Sequence, residues 1–169
     1  MRSADLLLDA FGRIGQLGHS VVDGLTADQL ATRLEGRGNS IAWLVWHLAR
    51  VQDDHVADVA GEEQVWTAQG WHDRFGLALD RSDIGYGHSA EQVAAVQVGD
   101  GKLLTGYLDE VVDRSRAFVG DLSDADLDRV VDENWDPPVT LGVRLVSVVG
   151  DDLQHLGQAA LVRGLVAPH

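Results

Sequence analysis

The chain contains no cysteine, which excludes a disulfide framework, a protein thiolate nucleophile and any cysteine-ligated zinc site. A bound metal would have to take its ligands from histidine, carboxylate and solvent. Basic residues are few, 13 Lys and Arg against 27 Asp and Glu, giving a formal charge of −14. They form no run, so no patch exists to release counterions from phosphates, and a nucleic-acid partner is not expected. Anionic membrane surfaces are disfavoured for the same reason. No stretch approaches 18 consecutive apolar residues, and Met1–Asp5 opens no uninterrupted apolar segment, so neither a membrane span nor secretion is signalled. Cytoplasmic residence is the expectation.

With 45% hydrophobic residues and only three prolines in 169, the composition supports one domain, residues 1–169, around a substantial core. From Ser3, read as an N-cap, Leu7, Phe11, Ile14, Val21 and Leu25 recur at helical spacing, predicting a first long helix that ends near Gly24. Thr26-Ala27-Asp28-Gln29 has the form of a capping box. Ser40 can cap a second long helix over Ser40–Ala60, with Gly61 as its stop. Residues 61–88 lose regular periodicity and carry Trp66, Trp71, Phe75 and Tyr86, a long aromatic-rich connection expected to pack over one end of a bundle. Ser89-Ala90-Glu91-Gln92 starts a short helix to about Val98, and Asp100 caps a third long helix through Phe118. A further short turn fits within Asp121–Asp132. Trp135-Asp136-Pro137-Pro138 blocks extension, and Thr140 caps a fourth long helix to Leu165. No convincing strand pattern is present, so the fold expected is an all-α four-helix bundle with its long connection between the second and third long helices.

His47 lies on the second long helix. Asp151 and His155, four residues apart, share one face of the fourth. Three such side chains could meet on one divalent cation. Chance alone supplies about one acidic residue four before a histidine in such a composition, so the spacing is weak evidence. The surroundings add weight: Arg144, Ser147, Asp151, His155 and Gln158 form a polar stripe on an otherwise apolar helix. Such a helix is normally buried, and buried polar groups need partners or line a cavity. The stripe therefore reads as a pocket wall, with Arg144 and Gln158 as candidates for orienting a cofactor or substrate. Gly150, Gly157 and Gly164 repeat every seven residues on the same helix. Close helix packing is their expected use, with a homodimer seam as the alternative.

Three segments resemble the DinB-like superfamily of small metal-dependent four-helix bundles. They are Asn39–Leu48 with Asp53-Asp54-His55, Trp66–Trp71 leading to Gly85-Tyr86-Gly87-His88, and Trp135–Arg144 through Asp151–Gln158. Within it the chain is similar to the actinobacterial mycothiol S-transferases and to relatives of mycothiol-dependent maleylpyruvate isomerase. The resemblance implies a metal held by His47, Asp151 and His155. The sequence departs from the family at Asp151, where many relatives place His and the isomerase type places Glu, so metal identity is left open.

Two imidazoles and one carboxylate leave coordination positions free, as in a catalytic rather than a structural zinc site. The reading that follows is an enzyme: a metal-dependent thiol S-transferase in which zinc holds a low-molecular-weight thiol, mycothiol by resemblance, for attack on an electrophilic small molecule. Alternatives are a metal-dependent hydrolase or isomerase of the same superfamily, iron-dependent oxygenase chemistry, or a non-catalytic metal-binding stress protein. Trp43, Arg50 and Asp54 are candidates to hold an imidazole N–H from behind. His55, about 80° around the helix from His47, is expected to be a neighbour rather than a ligand. His88 is not placed by the sequence. Trp66 and Trp71 are expected to anchor the core more than to touch substrate, and His19, His72 and His169 to be ordinary surface residues.

Overall fold

The computed structural model describes residues 1–167, and His169 lies outside them. Its frame is four long helices: α1 (Ser3–Val22), α3 (Ile41–Ala60), α7 (Gly101–Gly120) and α8 (Leu141–Val166). α1 packs on α7 and α8, and α3 packs on the same two, closing a four-membered ring around the core. Phe11 and Ile14, Leu44 and Leu48, Leu104 and Leu108, and Leu141 and Leu145 are all but inaccessible to water. Each contributes about 1.5–3 kcal/mol by leaving it. The apolar periodicity of each segment thus sets which face turns inward.

Helix starts follow the local chemistry closely. Ser40 Oγ accepts from the Trp43 N–H at 3.1 Å, Asp100 accepts from the Lys102 N–H at 2.9 Å, and Gly61 ends α3 in the left-handed region at φ 69°. The boxes at Thr26 and Ser89 open α2 (Ala27–Ala31) and α6 (Ala90–Ala95). One cap differs: Ser3 is inside α1, and the end is closed by the Asp5 carboxylate accepting the Arg2 N–H at 2.9 Å. A charged acceptor three residues on outcompetes the hydroxyl.

The long connection is more ordered than its sequence suggests, folding into α4 (Val65–Ala68) and α5 (Trp71–Phe75). α6 stops at Ala95, short of Val98. A small antiparallel pair, β1 (Val130–Asp132) and β2 (Val139–Thr140), corrects the expectation of no strand. Segments of two or three residues are too short to show alternation in sequence. α8 also departs from expectation, because it touches α1 and α3 on one side only. Val143, Val146, Leu153, Leu161 and Leu165 on its other side are exposed. Gly150, Gly157 and Gly164 do not serve packing within the chain: a Cβ built on each would meet nothing within 4 Å.

A buried polar cluster ties the connection to α3. Both oxygens of Asp53 are used, one accepting from the Val65 N–H at 2.8 Å and the other from the Trp66 N–H and the Tyr107 hydroxyl, each at 2.8 Å. Arg50, fully buried, lies 3.6 Å from Asp53 and donates to Gln64 Oε1 at 2.9 Å, to Tyr107 Oη at 3.2 Å and to the Asp83 carbonyl at 3.2 Å. Its guanidinium also covers the Trp66 ring, 4.9 Å from the centroid. Burial raises the Asp53 carboxyl against the pull of its three donors. Asp53→Ala should lower unfolding free energy by about 3–5 kcal/mol in urea titration, because it strands a buried guanidinium and two backbone donors. Removing the exposed partner of Arg13 with Asp9→Ala should leave the midpoint unchanged within error.

Candidate metal centre

Packing of α3 against α8 brings His47, Asp151 and His155 together, with one ligand atom from each lying within 4.8 Å of the others. The two imidazole centroids are 4.8 Å apart, inclined at 74°. His47 Nδ1 is 2.5 Å from the Ile84 carbonyl oxygen. A carbonyl can only accept, so the proton is assigned to Nδ1 and Nε2 keeps its lone pair for a metal. The approach depends on Gly85, whose φ is +91° and where a Cβ would fall 2.6 Å from His47 Nδ1. No other residue lets that carbonyl come so near.

A second device fixes the ring from the side. Trp43 stacks on His47 at 4.5 Å and 17° and donates its indole N–H to His88 Nδ1 at 3.0 Å. His88 Nε2 then donates to the Asp83 carboxylate at 2.9 Å. Asp83 in turn accepts the Gly85 N–H at 2.7 Å, so the turn that carries the Ile84 carbonyl is closed by the same carboxylate that orients His88.

Burial lowers the basicity of His47, and the neighbouring His155 lowers it further, so the imidazole is held neutral. His155 beside it keeps the Asp151 carboxyl below its ordinary value, with His47 adding to the effect. Both groups therefore stand in the form that binds a cation. Asp151 Oδ2 and His155 Nδ1 are buried without a hydrogen-bond partner, a costly arrangement that a bound cation would relieve. Two nitrogens and one oxygen suit a divalent cation of borderline softness. The Asp151 side chain is 38% exposed, leaving the centre open on one flank. Asp152, next along, is turned into the core instead, where burial pushes its carboxyl well up and keeps it protonated.

The other expected residues fall out differently. Arg144 does not offer a free charge: it donates to His55 Nδ1 at 3.2 Å and to Asp132 at 3.1 Å, tying α8 to β1. Gln158 is exposed one turn beyond His155. Arg50 and Asp54 serve the buried cluster rather than an imidazole. Trp66 and Trp71 are core anchors, donating to the Arg81 carbonyl and to Glu110. His19 is half-buried and paired with Asp109, and His72 packs edge-on against Trp66. Nothing in the sequence marks Asp83 or Ile84, and Gly85 shows only as the first residue of Gly85-Tyr86-Gly87-His88. A surface groove of about 910 Å³ between α1 and α7, lined by Arg13, His19 and Arg116, shares no residue with this centre.

Calorimetric titration with Zn²⁺ or Co²⁺ should show one site, abolished in His47→Ala and weakened about 10–100-fold in Gly85→Ala, which displaces the carbonyl behind the ring. Since the His47 imidazole is depressed in the fold, affinity should hold from pH 8 to below the ordinary histidine value of about 6.5 and fall only where protons compete for that buried ring. The metal-free protein should begin to lose stability earlier, as pH falls through about 6.5, because unfolded His47 takes up a proton that the buried ring refuses until its own lower value is reached. Affinity rising on acidification would contradict this assignment.

Residues 11–159 match the model of the DinB superfamily. A crystal structure described as the conserved protein of locus from Enterococcus faecalis superposes with a TM-score of 0.92 at 30% identity, covering 100% of this chain and 99% of that one. No curated protein matches the chain. With the four-helix frame and most of the sequence accounted for, the chain belongs to the DinB superfamily.

Proposed function

We propose that this protein is a metal-dependent thiol S-transferase, joining a low-molecular-weight thiol to electrophilic small molecules. The observation that carries the reading is the convergence of two imidazoles and a carboxylate, with two orphaned polar atoms and one open flank, in a chain without a thiol of its own. A divalent cation bound there, zinc by the donor set, supplies the Lewis acidity that keeps a small thiol deprotonated near neutral pH. The family resemblance makes mycothiol the leading cosubstrate, and the DinB superfamily includes metal-dependent enzymes.

The chain's own residues then have distinct tasks. His47 offers Nε2 because Ile84 holds the proton on Nδ1. Asp151 contributes its negative charge, offsetting the cation. Trp43 closes one side of the centre against water through its stack on His47. His55, accepting from Arg144 at Nδ1, keeps its own proton on Nε2 and is a donor for a polar group of the cosubstrate. Gln158, on the exposed rim, is a second such contact. No helix among the described residues is long and apolar enough to cross a membrane, and the proposed setting is the cytoplasm, where small thiols are kept reduced.

Zinc-loaded protein incubated with monobromobimane and, separately, mycothiol, bacillithiol, glutathione and cysteine should accelerate conjugation of one thiol selectively. His47→Ala should remove at least about 100-fold of that rate. Equal acceleration of every thiol would remove the preference for mycothiol, and no acceleration with any thiol, alongside turnover of an ester with no thiol present, would overturn the transferase reading in favour of a hydrolase.

A further inference from the structure

We infer that the outward face of α8 is a homodimer seam, on which a second copy of this chain docks its own α8 in antiparallel orientation. Three observations converge on that face. Val143, Val146, Leu161 and Leu165 are 57–64% exposed, and Leu153 is 43% exposed. They sit among Gly150, Gly157 and Gly164, where a Cβ would touch nothing. Glycine weakens a helix interior by about 1 kcal/mol relative to alanine, and nothing inside this chain uses the space those three leave. The face is also free of charge. At 100° per residue, the sector of about 160° from Gly142 round to Gln158 contains no Asp, Glu, Lys, Arg or His.

Charge decides which partner fits. Two molecules of formal charge −14 repel, and they can approach only where neither presents acidic groups. α8's charged residues all lie off this face: Arg144 tied to His55 and Asp132, Asp151 and His155 at the candidate metal centre, Asp152 in the core, and Arg163 donating to the Val21 carbonyl. Depletion of charge with retained large aliphatics marks the centre of an interface.

The face is also self-complementary about a two-fold axis. With the axis between Leu153 and Gln154, Val143 stands at the level of the partner's Gly164, Val146 at the level of the partner's Leu161, and Gly150 at the level of the partner's Gly157. Val143 meets a glycine gap at each end, Val146 and Leu161 pack side by side, and the backbones come closest at the mid-seam glycines. From Val143 to Leu165 the seam is about 33 Å long. Both sides together bury on the order of 1,000 Å², the lower limit of a specific interface. Interfaces of that size belong to the weak, transient class, and the dimer proposed dissociates in the micromolar range.

Sedimentation velocity at about 100 μM should show a dimer that dissociates on dilution into the low micromolar range. The Val146→Glu/Leu161→Glu double variant should be monomeric throughout, with unchanged circular dichroism. Gly150→Ala/Gly157→Ala should raise the thermal midpoint at high dilution yet weaken the dimer at least tenfold, a split that a purely structural role would not produce. Because the chain lacks cysteine, single thiols report the register without background. Leu153→Cys should form a disulfide-linked dimer on mild oxidation, and Val143→Cys, about 30 Å from its copy, should not. A native protein monomeric at 100 μM, a dimer that survives the double glutamate change, or equal cross-linking at both positions would overturn the proposal.

Discussion

The carboxylate of Asp53 is the joint on which the rest of the site depends. It sits inside the bundle on α3 and takes the first two N–H groups of α4, which leaves the long connection no freedom to drift from the helix. Arg50, one turn earlier on the same helix, supplies the charge that makes the buried carboxylate tolerable and reaches the Asp83 carbonyl at the far end of the connection. One residue further, the Ile84 carbonyl meets His47. The imidazole that faces the proposed metal is therefore oriented from behind by a loop, and that loop is held by charges lying one to two turns along the ligand's own helix.

This arrangement explains the division of labour between the two long helices. α3 is buried around nearly its whole circumference, and it carries the polar groups that organise the centre from inside. α8 is buried on one side alone, so it can carry ligands whose open side faces outward while its core stripe still anchors it. Asp151 and Asp152 illustrate the consequence. Consecutive carboxylates about 100° apart fall one at the rim of the centre and one in the core. The first is held ionised beside His155, and the second is kept neutral by burial.

Much of this was legible beforehand where the cause is local. Ser40, Asp100 and Gly61 mark helix ends through hydrogen bonds and backbone preferences that span three or four residues. The i, i+4 spacing of Asp151 and His155 is likewise a property of one helix. The reading failed where a face's neighbour had to be known. The apolar circumference of α8 suggested full burial, yet its outer half has no neighbour within the chain, and the three glycines looked like packing contacts for the same reason. Arg144 looked available from its stripe, but Asp132 and His55 claim it from other elements.

The sequence by itself determined that any metal site must be built from histidine and carboxylate, that the chain makes four long helices, and which side chains share a face. Those properties follow from composition and from a 3.6-residue repeat. Tertiary structure alone decided that Ile84, a residue with no polar side chain, orients His47, that Gly85 is indispensable beside it, and that α8 leaves one face bare. A backbone carbonyl carries no trace in residue identity, and the exposure of a face depends on what the rest of the chain brings against it.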